Sequence, residues 1–108
     1  MPHAKFSMTA RDHVETWLFE NQDHLGLSQV KLDRAEVPAK KLSAWFETPK
    51  YLIDITVWDH AYCLDILVLE QTTDNLVFSK AGPCDDLAGL SKRLSAFSTW
   101  LSSHESGI

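Results

Sequence analysis

Long apolar runs are missing from this 108-residue chain. None approaches the roughly 18 to 20 residues that a bilayer-spanning helix needs, and the opening MPHAKFSMTARDH lacks the apolar core of a signal peptide. The expectation is a cytoplasmic protein with no membrane partner. Cysteine is scarce as well. Cys63 and Cys84 are too few for a disulfide scaffold, and their spacing is neither a CxxC pair nor a metal knuckle. His3, His13, His24, His60 and His104 include no pair at a ligand spacing such as HxxxH, so no metal or other cofactor is expected. Repeats, low-complexity tracts and Gly/Ser linkers are absent too. That leaves one domain spanning 1–108, long enough to bury a core without staples.

A basic excess is also lacking. The net charge is −5, and it is unevenly placed. Residues 1–46 carry six basic and six acidic side chains, whereas residues 47–86 carry eight acidic ones against Lys50 and Lys80 alone. Phosphate binding needs a basic footprint, so nucleic acid is not expected as a direct ligand. An acidic middle suits a basic protein partner, because complementary fields steer association. It would equally serve solubility.

What is present is hydrophobic periodicity. TARDHVETWLFENQ predicts a helix capped by Thr9, with Ala10, Val14, Trp17 and Leu18 along one face and Phe19 off it. Gly26 is a stop signal. Residues 23–40 are ambiguous, although Val30 and Leu32 alternate with polar residues as a short strand would. Four alternating segments follow, at 41–48, 51–59, 61–70 and 75–80, separated by short polar turns. A two-residue turn at Pro49-Lys50 sets Phe46 opposite Ile53 and Leu42 opposite Val57. A two-residue turn at His60-Ala61 sets Val57 opposite Leu64 and Ile53 opposite Val68. Both turns gather the same apolar set on one face, and a one-residue slip in either would undo that agreement. In the last hairpin, a left-handed bulge at Asn75 would bring Leu76 and Phe78 to the core face, whereas a bulge-free turn would bring Val77.

After Gly82-Pro83, the spacing of Leu87, Leu90, Leu94, Phe97 and Leu101 predicts an amphipathic helix, with Asp85 as its cap. Gly89 inside it costs about 1 kcal/mol relative to alanine. The expected fold is a two-layer α+β domain. It comprises an antiparallel four-stranded β-meander, or a five-stranded one if residues 23–40 add a strand, flanked by an N-terminal and a C-terminal helix.

Asp59, His60 and Cys63 crowd into five residues, which invites a catalytic reading. A Cys/His nucleophile requires a shifted thiol pKa, hydrogen-bond reach and a third orienting group, and adjacency at a turn supplies none of these. No catalytic residue is assigned. The second sheet face is more informative. If both helices cover the Ile/Val face, the other one mixes Trp45 and Trp58 with Glu47, Asp54 and Asp65. Aromatic anchors beside carboxylates make a candidate partner-binding surface, with Asp59 and His60 at its rim. A helix or a dimer mate could also cover that face and turn the tryptophans into core.

The run from Trp45 to Leu101 resembles small bacterial immunity proteins of polymorphic-toxin and contact-dependent inhibition systems, of the TriTu/Rhs-associated kind. The carrying residues are Trp45-Phe46-Glu47-Thr48-Pro49, Ile55-Thr56-Val57-Trp58, the strand from Cys63 to Leu69, Val77-Phe78-Ser79 and the Leu-rich last helix. The resemblance covers a little over half the chain and rests on mostly structural motifs. It implies a cytoplasmic, non-enzymatic protein; whether it is a monomer or a homodimer stays open. Such a protein neutralises the C-terminal domain of one cognate toxin, often a basic nuclease, by blocking an essential surface. Two other classes stay open. One is a homodimeric scaffold or adaptor that pairs its open sheet faces. The other is a small ligand-binding domain or enzyme with a helix–sheet pocket near Cys63 or His60.

Overall fold

The computed structural model describes residues 9–26 and 28–105. His3 and the first eight residues of the stretch that lacks a signal-like apolar core lie outside those residues, as does the side chain of His24.

Helix α1 (Ala10–Leu25) starts where expected. The Thr9 hydroxyl accepts from the Asp12 backbone N–H, and Gly26 closes the helix at φ 70°. A left-handed φ favours glycine because it has no Cβ. Ala10, Val14 and Leu18 are buried, Trp17 is partly so, and Phe19 points outward. The ambiguous stretch resolves into strand β1 (Ser28–Ala35), which pairs antiparallel with β2 (Lys41–Glu47). The meander continues through β3 (Tyr51–Trp58), β4 (Leu64–Glu70) and β5 (Leu76–Lys80), so the sheet has five strands in chain order. Helix α2 (Leu87–Glu105) ends the fold.

Both central registers match the expectation. Phe46 faces Ile53 and Leu42 faces Val57, while Val57 faces Leu64 and Ile53 faces Val68. The β2–β3 turn is tight, with Thr48 N–H donating to Tyr51 O across Pro49-Lys50. The β3–β4 link is wider than two residues. Trp58 N–H donates to Cys63 O and Tyr62 N–H to Asp59 O across His60-Ala61, but the Asp59 N–H goes to Lys40 O and Tyr62 O accepts from Cys84 N–H, so the second bond of a two-residue turn is not made. Instead the chain runs from Asp59 to Cys63 through left-handed Ala61 and Tyr62.

Two local expectations are corrected. The bulge in β5 falls at Val77, not Asn75, and the left-handed residue of the turn is Asp74. Phe78 therefore faces the core opposite Val68, but Leu76 pairs with Leu69 and points the other way. The cap of α2 is Asp86 rather than Asp85. Asp86 Oδ1 accepts from Gly89 N–H at 2.8 Å, whereas Asp85 is held at φ 72° ahead of the helix.

The helices lie on one face of the sheet. Leu90, Leu94, Phe97 and Leu101 meet Ile53, Ile55, Leu64, Ile66 and Val68 in a continuous core. Phe97 binds the layers together, with its ring 6.2 Å from Trp17 and 5.9 Å from Phe78. Tyr51 packs against Trp100. Gly89 is a requirement rather than a defect, because a Cβ there would overlap the Cys84 carbonyl. No helix among the described residues is long and apolar enough to cross a membrane.

Candidate functional site

The outer face of the sheet is built by the same alternation that builds the core. Side chains between the buried positions of β2, β3 and β4 point away from both helices. They form rows across the strands. One row is Lys31, Trp45, Asp54, Leu67 and Ser79. The next is Glu47, Leu52, Leu69 and Leu76. A third row, Asp33, Ser43, Thr56 and Asp65, is polar throughout.

Five of the seven residues singled out in the sequence share this face. Trp45 is 43% exposed and Glu47 is also exposed, while Asp54, Trp58 and Asp65 are half-buried. Asp54 accepts a hydrogen bond from the Thr56 hydroxyl at 3.3 Å. Asp65 accepts one from Gly82 N–H at 3.1 Å, which ties it to the loop before α2. Trp58 lies at the far end, beside Lys41. Among the described residues, neither Glu47 nor Asp54 makes an ion pair.

The first two rows enclose a concavity of about 400 Å³. Trp45, Leu52, Leu67, Leu69 and Leu76 supply its apolar walls, and Lys31, Glu47 and Asp54 supply its charge. Two of these contributors do not emerge from the sequence. Lys31 sits in the ambiguous stretch, where its alternation with Val30 and Leu32 was the available signal. The side of Leu76 stays open in the sequence, on the core face with a bulge at Asn75 and off it without one, and the bulge at Val77 turns it outward while Phe78 stays in the core.

Asp59 is placed elsewhere. Its Oδ1 accepts from the Arg11 backbone N–H at 3.0 Å and its Oδ2 from Arg11 Nε at 3.1 Å. The same guanidinium donates to Ala35 O and to Glu36 Oε2 at 2.8 Å. Arg11 is only 6% exposed, so Asp59 serves a joint between α1, the β1–β2 loop and the β3–β4 turn. The hydrogen bond that Arg11 donates to Glu36, with the nearby charge of Asp59, raises the Arg11 pKa against the opposing effect of burial. Glu36 is shifted downward by the same hydrogen bond and by the Arg11 charge. His60 is exposed on the turn.

The Asp59–His60–Cys63 cluster is thus not assembled as a reactive unit. Asp59 is committed to Arg11, and the hydrogen bond recorded between His60 and Cys63 joins backbone atoms. Cys63 and Pro83 pair across an isolated bridge and the Cys84 N–H donates to Tyr62 O; both cysteines are half-buried free thiols. Burial pushes the Cys84 thiol pKa up despite the nearby Arg93 charge, the opposite of thiolate activation. A second concavity of about 330 Å³ lies where α2 meets the end of β5, near Cys84, Lys92 and Arg93; neither Cys63 nor His60 lines either space. No group of three or more His, Cys, Asp or Glu side chains suited to a metal occurs among the described residues. No protein-family model, curated protein or solved structure matches the chain.

Proposed function

We propose that this chain is a protein-binding domain that neutralises a basic partner, as an immunity protein neutralises the C-terminal domain of its cognate toxin. The observation that carries this reading is the outer sheet face. There Trp45 stands exposed beside an apolar concavity, and Glu47 and Asp54 have no ion-pair partner among the described residues. Large aromatic anchors beside apolar pockets dominate binding energies, and unneutralised carboxylates favour a cationic partner. The acidic excess of residues 47–86 acts in the same direction. The inhibition is steric and electrostatic, without a covalent step, and the protein acts in the cytoplasm as a monomer or a homodimer. Leu52, Leu67 and Leu76, each more than a third exposed, extend the contact beyond the tryptophan.

The test is co-expression with the domain encoded beside this chain in its genome, followed by sizing and titration. A stable one-to-one complex burying on the order of 1,200–2,000 Å² supports the reading. A face-to-face homodimer that binds no such domain would instead favour the scaffold class.

A further inference from the structure

We infer that the segment seated in the outer concavity is an amphipathic α-helix of the partner, lying across the strands with an apolar stripe inward and cationic residues on its flanks. This deepens the partner-binding reading and rests on it.

The dimensions come first. The concavity draws residues from all five strands, from Lys31 on β1 to Leu76 on β5. Five strands at the usual spacing span about 19 Å, the length of a helix of about 13 residues. One helical turn rises about 5.4 Å and one strand spacing is about 4.8 Å, so successive turns of a helix meet successive strands. The two rows of side chains that line the groove lie two residues apart along the strands, about 6.8 Å, so a rod about 10 Å wide would rest across both.

The chemistry is graded along this path. Over β3 to β5 the walls are Leu52, Leu67, Leu69 and Leu76, which suit leucine-like side chains at helical spacing. Lys31 marks the β1 end of the groove, and over β2 and β3 the groove carries Glu47 in one row and Asp54 in the other, one carboxylate on each side of the path and a net acidic lining. Arginine or lysine on both flanks of the helix would meet them.

Two other occupants fit less well. A second copy of this chain would set one net-acidic face, with Asp33, Glu47, Asp54 and Asp65 against Lys31 and Lys41, onto another of the same sign. A strand added to β5 would meet a five-residue edge interrupted by the bulge at Val77, and bulges and short length are devices that discourage edge pairing.

The experiment titrates two helix-stabilised 14-residue peptides into the full chain, followed by amide and indole NMR shifts. Both peptides carry the same leucine stripe; one has arginine flanks and the other glutamate flanks. The expected result is binding of the arginine peptide at least about tenfold tighter, with shifts confined to the outer face. Glu47→Lys with Asp54→Lys should reverse the preference, and Leu67→Glu should abolish both interactions while leaving the far-UV spectrum unchanged. Absence of binding by either peptide, shifts on α1 and α2, or an unreversed preference overturns the inference. So does concentration-dependent dimerisation that Leu67→Glu removes. If Trp45→Ala and Leu67→Glu release the native partner but neither peptide binds, the helix inference alone fails. If the native partner stays bound to both variants, the partner-binding reading fails with it.

Discussion

Arg11 and Asp59, 48 positions apart, hold each other twice: the carboxylate accepts from the Arg11 backbone N–H at 3.0 Å and from its Nε at 3.1 Å. The contact spans α1 and the β3–β4 turn, and Arg11 is nearly inaccessible. Removing one partner of such a pair leaves a desolvated charge without its full set of acceptors. Asp59→Ala should therefore lower the melting temperature by at least about 5 °C for a domain of this size. Glu47→Ala, on the outer face, should leave it within about 2 °C. Thermal unfolding followed by circular dichroism compares them directly.

Acid should weaken the same end of the molecule. Asp12 is shifted downward chiefly by its hydrogen bond with Arg34, and Glu36 by its hydrogen bond with Arg11. Because both folded-state values lie below the ordinary carboxylate range, the unfolded chain takes up protons first as pH falls. Their stabilisation is complete above about pH 5 and is lost progressively through pH 4 and below. The urea midpoint should fall between pH 7 and pH 3.5. The double variant Asp12→Asn, Glu36→Gln should show a smaller fall than the wild type.

Gly89 offers a test of sign. On helix propensity alone, Gly89→Ala would stabilise α2 by about 1 kcal/mol. The added Cβ would overlap the Cys84 carbonyl, backbone that cannot swing aside as a side-chain tip could. The expected outcome is a net loss of about 1–3 kcal/mol, typical of overpacking, measured by urea denaturation.

Phe97 is fully buried and touches the rings of Trp17 and Phe78, so it joins α1, α2 and β5. Phe97→Ala should cost about 3–5 kcal/mol, by cavity formation as well as lost burial. Equilibrium unfolding in denaturant measures that loss.

The sequence made the sheet legible because two independent turns sort Ile53, Ile55, Val57, Leu64, Ile66 and Val68 onto one side. Trp45, Glu47, Asp54, Trp58 and Asp65 follow onto the other face by alternation alone. What escaped depends on backbone signs or on distance. The bulge at Val77 reverses Leu76, and nothing in the side chains around it selects Val77 over Asn75. Left-handed Asp85 passes the cap to Asp86, although both are good cap residues. Strand β1 is an edge with Leu32 more than a third exposed, so its alternation is faint. Local pattern puts Asp59 at the rim of the outer face, because its partner Arg11 lies in a different element.

The central claim is that the outer sheet face binds a basic protein partner, and its most direct test is paired affinities for the neighbouring-gene domain. Wild type, Trp45→Ala and Leu67→Glu would be titrated by calorimetry, with folding checked by circular dichroism. The account predicts that each folded variant loses at least about 2 kcal/mol of binding, roughly a thirtyfold weakening. Unchanged affinity in both variants would contradict it.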